Sequence, residues 1–476
     1  MFGCLADQLN QKHTLFLLAD EIDWSVFDEA FKIYYSVNMG APSKPIRLMV
    51  SLLILKQLRN LSDENIVEQW SENCYYQYFS GQQFFTAGVP CVPTELVTFR
   101  QRIGEAGVEL ILKESIRVNR KDDDNVGNAV SLDSTVQEKN ITYPTDDKNY
   151  KKIIKKCWKI ADEEAIDLRQ SYVRIVKQLS YKQRFKRHKN GVKEARKANK
   201  KIQIIAGRLM REIARKLVLE RLGVHLPFLK LAQQILSQKR GDSHKIYSLH
   251  EPNVKCYSKG KDHKKFEFGS KASIIVDQSS GIIMGAINFT ETLHDSKTIP
   301  EALEQYERLN GEQPKEVFVD RGYRGIKEYN GAKINSPKPE KNISNQKVQG
   351  HIQRAGIEPV IGHLKQSYRL SRNYLKGILG DNMNVILAAA AMNFKRRMNL
   401  WRTEANLRWV LLFKYIQGVY WDFYALSKSD FLRVNYIEPI LIVLGFTKAP
   451  FHQLIILLNI PIRLLKQLFF LMQLIF

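Results

Sequence analysis

Hydrophobic and polar positions alternate in two different ways along the chain, and the first of these is helical. In residues 45–60, PIRLMVSLLILKQLRN, apolar side chains recur at helical spacing. Ser62, followed by two acidic residues, is typical of a helix N-cap and predicts that a second helix begins there. A third helix is predicted over 95–116. The first two helices fit either a DNA-binding helix-turn-helix or an ordinary helical hairpin, and the pattern leaves both open.

After residue 126 the pattern changes to short runs of β-branched residues. AVSLD predicts a strand that ends near Asp133, and EVFVD predicts another that ends at Asp320. Residues 266–289 predict two strands around a polar turn, and residues 296–311 predict a helix. The order of elements is strand, large insertion, two strands, helix, strand, helix. This order predicts an α/β fold, with a mixed sheet flanked by helices.

The positive charge is concentrated in one part of the chain. The 476 residues carry a formal net charge of +24, and residues 148–245 hold 28 Lys or Arg against 8 Asp or Glu, a net +20. Apolar residues recur at helical spacing from Leu168 to Leu179, which predicts basic amphipathic helices. Such a density favours a polyanionic partner, nucleic acid first and an anionic membrane surface second. The predicted DNA contacts in this insertion are Lys182, Arg184, Lys186 and Arg187.

Cysteine usage and hydropathy exclude several classes of protein. The five cysteines are odd in number and form no C-x-x-C pair, which argues against a disulfide framework and a cysteine-based zinc site. The N-terminus lacks the layout of a signal peptide, and no run of 18 apolar residues occurs, so we expect a cytoplasmic protein without a membrane span. Residues 437–476 are strongly apolar but broken by charges and prolines, and we interpret them as an extension without a catalytic part.

Three acidic residues have the placement that phosphodiester chemistry needs. Two divalent ions can clamp the attacking and leaving oxygens when carboxylates converge on them. Asp133 and Asp320, at the ends of predicted neighbouring strands, would meet at one sheet edge, and Glu358 is the third candidate. Arg354 and Lys365 lie four residues before and seven after Glu358, where they would hold phosphate oxygens. Taken singly, a strand-end aspartate is usually a turn or cap residue. Without the other acids, Glu358 would be interpreted as part of a solvated helix face. Proline after Glu358 leaves the start of that helix open.

Several motifs together resemble one family. His351, Arg354, Glu358 and Lys365 match the pattern Y-x2-R-x3-E-x6-K, with His in place of Tyr. VDRGYRG at Asp320, SLDST at Asp133, HDSKT at 294–298, and the segments 259–271 and 40–105 also read like family segments. The chain therefore resembles bacterial insertion-sequence transposases with a DDE triad, of the family five/four type, over roughly residues 25–400.

The resemblance implies a ribonuclease-H-like catalytic domain and a metal-dependent DNA transposase. Asp133, Asp320 and Glu358 would hold Mg²⁺ or Mn²⁺, with two ions expected, for strand cleavage and strand transfer. The implied partners are the inverted-repeat ends and target DNA, bound by a homodimer or higher oligomer at the nucleoid. No small-molecule substrate and no stable membrane association are expected. The implied regions are 1–125, helical and DNA-binding; 126–147 with 246–400, catalytic; 148–245, the basic insertion; and 401–476, helical with the apolar tail.

Two other functions compete with this one. A non-catalytic DNA-binding protein descended from such an enzyme would share the charge, although the intact acids argue against it. A membrane-surface protein would account for the charge and the apolar tail, although not for three acids at matching strand and helix ends. Trp158 in the insertion is interpreted as a core residue, with stacking on a flipped base as the alternative.

Overall fold

The computed structural model divides into two compact units, residues 1–399 and 400–476. The first unit contains the sheet, and in the second the described residues, 400–426, are helical. Within the described part of the chain no helix is long and apolar enough to cross a membrane. The apolar tail, 437–476, lies outside the described residues. The structure describes residues 3–35, 43–120, 126–185, 188–189, 191–239, 241–261, 264–337 and 345–426.

The N-terminal region is helical, as the sequence predicts. The predicted N-cap is confirmed, because the Ser62 Oγ accepts a hydrogen bond of 3.1 Å from the Asn65 N–H. The third predicted helix is longer than expected and is interrupted at Gly104, which has φ 63°. Only glycine adopts that conformation without strain. The helices among the described residues of this region are α1 (Leu5–Gln8), α2 (Thr14–Glu21), α3 (Ser25–Phe31), α4 (Ile46–Leu58), α5 (Asp63–Glu72), α6 (Cys74–Phe79) and α7 (Pro93–Arg120).

The surface of α5 bears on the choice between a helix-turn-helix and a hairpin. Helix α4 is buried along nearly its whole length. Helix α5 exposes Glu64, Glu68 and Glu72, three carboxylates that DNA phosphates would repel. A recognition helix presents the opposite charge or neutral polar groups to DNA. The exposed acids argue against α5 as a recognition helix, and the choice between a helix-turn-helix and a hairpin stays a prediction.

A seven-stranded mixed sheet forms the core of the larger unit. Strand β1 lies between β3, which is antiparallel to it, and β5, which is parallel. The order across the sheet is β2-β3-β1-β5-β7-β6, and β4 also pairs with β3. The strands are β1 (Ala129–Glu138), β2 (Lys255–Lys261), β3 (Lys264–Asp277), β4 (Ile283–Phe289), β5 (Glu316–Phe318), β6 (Glu328–Tyr329) and β7 (Ala332–Asn335).

The sheet corrects two expectations about its strands. Asp133 lies in the middle of β1 rather than at its end, because β1 continues to pair with β3 as far as Glu138. Its parallel pairing with β5 nevertheless stops at Ser131, just before Asp133. The sequence pattern also missed β2, β6 and β7, whose short or polar sequences become strands through pairing with neighbouring strands. The predicted pair β3 and β4 is confirmed.

The helices that follow β4 along the chain flank the sheet. Helix α14 begins at Ile357, two residues earlier than Pro359, since proline is tolerated in the first turn of a helix. Arg354 is the last residue of α13, so it and Glu358 lie on separate helices. These helices are α12 (Ile299–Asn310), α13 (Asn345–Arg354), α14 (Ile357–Ser367) and α15 (Gly377–Leu426).

The basic insertion has a hydrophobic core of its own, built from the apolar faces of its helices. The helix predicted from Leu168 begins only at Val173, because Tyr172 adopts a left-handed conformation with φ 58°. Trp158 packs partly buried against this core and donates a hydrogen bond of 2.7 Å to the Ser171 carbonyl, which favours its core interpretation. The helices are α8 (Asp146–Glu163), α9 (Val173–Arg184), α10 (Val192–Lys216) and α11 (Leu219–Ser237).

Candidate metal centre

The two predicted aspartates lie at equivalent positions on adjacent parallel strands. Ser131 of β1 pairs with Phe318 of β5 at the end of their ladder. Asp133 and Asp320 each follow two residues later, so both carboxylates emerge at the same edge of the sheet. The negative charge of Asp320 acts on Asp133 and raises its pKa. The structure thus brings together two of the three residues predicted for the triad.

The pKa of Asp133 is unusually high for an aspartate. Burial is the largest cause and raises the pKa of Asp133 to about 6, with Asp320 and Asp295 adding to the effect. The Ser134 N–H, 2.7 Å from Oδ1, and the Arg354 guanidinium act in the opposite direction. Two desolvated carboxylates side by side repel each other, and a bound cation would relieve that repulsion.

The loop after β5 positions Asp320 through its backbone. The Asp320 Oδ1 accepts a hydrogen bond of 2.7 Å from the Gly322 N–H. A Cβ atom at Gly322 would lie 3.0 Å from the Asp320 Oδ1 and 3.1 Å from the Asp295 Oδ2. Gly322 therefore allows a close approach of the two carboxylates, whereas Gly325, with φ 119°, is required for the turn itself. Both glycines therefore shape the loop that follows Asp320.

Asp295 is a third carboxylate at this edge, and the sequence reasoning did not assign it a role. Its Oδ1 accepts hydrogen bonds of 2.7 Å from both the Ser134 Oγ and the Lys271 Nζ. Burial raises the pKa of Asp295, but the hydrogen bonds from Lys271 and Ser134 outweigh burial and hold the pKa below its ordinary value. The fully buried Tyr323 lies close enough to Asp133, Asp295 and Asp320 to be influenced by all three charges.

The position of Asp295 has a physical explanation that the topology supplies. Strand β4 is antiparallel to β3, which is antiparallel to β1, so β4 runs in the same direction as β1. The segment after β4 therefore reaches the same edge as Asp133. The signal in the sequence was HDSKT, an acid soon after a predicted strand.

Glu358 does not join the aspartates in this structure. It is exposed in the first turn of α14, a helix that contacts β1. Among the described residues, no group of three or more His, Cys, Asp or Glu side chains could hold a metal ion. Lys365 lies partly buried on the same helix, seven residues further on.

Arg354 is a predicted phosphate contact that the structure places beside Asp133. Its Nη1 lies 3.6 Å from the Asp133 Oδ2. The same Nη1 is buried and makes no hydrogen bond within the described part of the chain. It therefore retains donor capacity for a phosphate oxygen placed between α13 and β1.

His351 replaces the tyrosine of the family pattern and serves packing. Its ring meets the face of Phe318 edge-on, with centroids 5.4 Å apart. A Cβ atom at the preceding Gly350 would lie 2.2 Å from the Phe318 ring, so only glycine lets α13 approach β5 this closely. Burial lowers the pKa of His351, which keeps the ring neutral beside the cationic Arg354. This packing fixes the height of α13 above the aspartates.

The predicted DNA contacts of the insertion are distant from the aspartates in the chain, and two of them can be described. Lys182 is exposed on α9 and lies 3.4 Å from the Glu194 carboxylate. Arg184 lies over the Tyr181 ring, 5.9 Å from its centroid. Lys186 and Arg187 lie outside the described residues.

Comparisons with known proteins give the family. Residues 3–102 match a family described as a transposase domain, and residues 242–394 match one described as a transposase DDE domain. The second match contains Asp320 and Glu358, whereas Asp133 and most of the insertion lie outside both. The chain is 38% identical over 183 residues to the uncharacterized protein ORF8 in the nfe locus of Rhizobium meliloti, covering 37% of this chain and 86% of that protein. No solved structure matches the chain.

Proposed function

We propose that this chain, which belongs to the insertion-sequence DDE transposases, binds the ends of its element and catalyses DNA strand cleavage and strand transfer. The observation that carries the proposal is the pair Asp133 and Asp320 at one edge of the sheet. The strand order β4-β3-β1-β5-β7 supports a ribonuclease-H-like fold. We further propose that the enzyme acts on DNA as a homodimer or higher oligomer.

The donor set fits a hard divalent cation. Asp133 and Asp320 offer carboxylate oxygens, which Mg²⁺ and Mn²⁺ prefer. Two such ions, when bound, would polarise the scissile phosphate and stabilise charge on the attacking and leaving oxygens. We propose Glu358 as the third carboxylate, contributed by the first turn of α14 when DNA is bound.

The remaining residues of the site position the carboxylates and the substrate. Ser134 and Lys271 hold Asp295, and the Ser134 N–H holds Asp133, so one short segment of β1 links both acids. Arg354 keeps a buried donor directed toward this edge and would bind a phosphate oxygen of the DNA. Lys365 would supply a second cation from α14.

One observation favours the competing function, DNA binding without chemistry. Glu358 is exposed, and no complete group of three metal-binding side chains exists among the described residues. The two functions differ in one measurable property, which is cleavage of the DNA that flanks the coding region.

The decisive experiment is cleavage of this flanking DNA by the purified full chain, with and without Mg²⁺ or Mn²⁺. We expect metal-dependent nicking at the element ends. Asp133→Asn and Asp320→Asn should each reduce it by on the order of 1,000-fold, since a metal centre contributes several kcal/mol to the transition state. Glu312→Gln, an exposed carboxylate on the loop before β5, is the matched control and should cleave normally. Retained DNA binding with no cleavage by the unmodified protein would establish the competing function.

A further inference from the structure

The solvent-facing side of α10 carries two groups of cations on one line, within 193–201 and 208–215, which together we call the α10 strip. All of its members are exposed. At about 100° per residue they fall within an arc of about 140°, opposite the face that packs into the core of the insertion. The members of the α10 strip are Lys193, Arg196, Lys197, Lys200, Lys201, Arg208, Arg211 and Arg215.

Acidic side chains do not neutralise the strip. Glu194 lies at its edge and is shared between Lys182 at 3.4 Å and Lys197 at 3.7 Å. Glu212 lies at the same edge, where it pairs with Lys216 at 2.9 Å and accepts a hydrogen bond from the Arg169 N–H. Eight cations this close on a helix held rigid by its core repel one another unless a polyanion lies along them.

The middle of the strip borders a groove that is lined by both apolar and cationic side chains. The groove has a volume of about 390 Å³ and lies between the start of α9 and α10. Tyr172 and Ile175 form one wall, and Lys197, Lys201, Ile204 and Arg208 belong to the other. Ile204 is 45% exposed at the centre of the strip, where charge would be expected on a merely solvated face. Apolar and cationic groups together suit a sugar–phosphate backbone.

The dimensions of the strip fit a duplex. From Lys193 to Arg215 the helix rises by about 33 Å, at about 1.5 Å per residue, which is about one turn of B-form DNA. Long lysine and arginine side chains contact phosphates without reading base edges.

We propose that the α10 strip is a sequence-independent binding surface for the backbone of duplex DNA, such as the DNA flanking the element or the target. The inference takes DNA as the partner from the proposed function, and it identifies this helix, rather than the cluster Lys182 to Arg187, as the main contact of the insertion. DNA binding is measured without a divalent metal, so its outcome is independent of whether the carboxylates cleave.

The test compares two full-length variants that lose the same number of charges. The strip variant carries Lys197→Gln, Lys200→Gln, Lys201→Gln and Arg208→Gln. The control variant carries Lys155→Gln, Lys159→Gln, Lys230→Gln and Lys239→Gln. All four lysines are exposed; the first two lie on α8, the third on α11 and the fourth just after α11. Binding to an unrelated duplex of about 20 base pairs would be followed by fluorescence anisotropy across a salt series. Circular dichroism would verify that both variants are folded.

The strip variant should lower the slope of log affinity against log salt by about 3 units and weaken binding by on the order of 100-fold at 0.1 M salt, since each phosphate contact contributes about 0.9 to the slope. The control should change the slope by less than about one unit. Equal losses in both variants, or an unchanged slope in the strip variant, would overturn the proposal. Loss of binding to phosphatidylserine vesicles with DNA binding intact would instead assign the strip to a membrane.

Discussion

The edge of the sheet and the α10 strip carry opposite charges, and the chain assembles them in different ways. The carboxylates of Asp133, Asp295 and Asp320 come from three separate parts of the chain and meet through strand pairing. The cations of the strip come from one helix and meet through helical periodicity alone. The acids are partly buried, and burial raises the pKa of Asp133 to about 6, whereas the cations remain in solvent.

This difference reflects what each charge does. Carboxylates that hold ions and act on a single phosphate must be desolvated and placed accurately, which requires long-range contacts to hold them. Cations that hold a polymer act additively, so exposure and spacing suffice and accuracy matters little. Single substitutions should therefore be severe at the sheet edge and mild on the strip.

The largest effect in this comparison is expected at Glu358, the proposed third carboxylate, which does not join the aspartates in the structure. Glu358→Gln should reduce strand cleavage by on the order of 1,000-fold while DNA affinity stays within twofold, because a lost metal ligand weakens the metal centre and leaves the cations that contact DNA in place. Glu301→Gln, an exposed glutamate in the first turn of α12, is the matched control. Undiminished cleavage by the Glu358 variant would show that the third ligand lies elsewhere.

A second prediction separates cations that serve the fold from cations that serve a partner. Asp63 pairs with Lys56 and Arg100, both at 2.7 Å and mostly buried. Asp63→Asn should lower the free energy of unfolding by about 3 kcal/mol, because it leaves two buried cations uncompensated. Asp147→Asn, which breaks a more exposed pair with Lys151, should cost less than about 1 kcal/mol. Chemical denaturation measures both, and equal costs would contradict the prediction.

The same cluster predicts a dependence on pH. Burial alone would raise the pKa of Asp63, but hydrogen bonds and charges from Arg100 and Lys56 lower it to about 2. Burial and Arg100 lower the pKa of Lys56 to about 8, since the second cation favours the carboxylate and repels the ammonium. Stability from Asp63 is therefore complete above its ordinary pKa of 3.8 and is lost as pH falls toward 2. Asp63→Asn should remove this loss from the acid titration.

A smaller effect is expected at Asp295. Asp295→Asn should reduce cleavage by roughly 10- to 100-fold, the usual cost of removing a group that orients metal ligands. Raised Mn²⁺ should restore part of the activity, which a purely structural defect would not allow. Ser134→Ala, which removes one of the two hydrogen bonds to Asp295, should give a milder form of the same defect. Normal metal dependence in both variants would show that Asp295 has no positioning role.

The smallest effect is expected for the cluster that the sequence singles out in the insertion. Neutralising Lys182, Arg184, Lys186 and Arg187 together should flatten the salt dependence of DNA binding by about one unit. Lys182 already lies 3.4 Å from the Glu194 carboxylate, so its removal releases few counterions. A loss as large as that of the strip variant would make the cluster an equal DNA contact.

Local patterns in the sequence determined several of the helices and the main strands. The N-cap at Ser62, the paired strands β3 and β4, and helix α12 all follow from spacing within a few residues, where local sterics and capping decide the conformation. The charge of the insertion was equally readable, since it depends on composition. The division into four regions stays a prediction, because residues 1–399 form one compact unit.

Only the tertiary structure decided which side chains meet. Pairing with β3 extended β1 beyond Asp133, while the end of its ladder with β5 placed Asp133 level with Asp320. Asp295 joined them because β4 runs in the same direction as β1. Glu358 is exposed in the first turn of α14. These outcomes depend on pairing between residues far apart in the chain, and hydrophobic period alone carries no information about such partners.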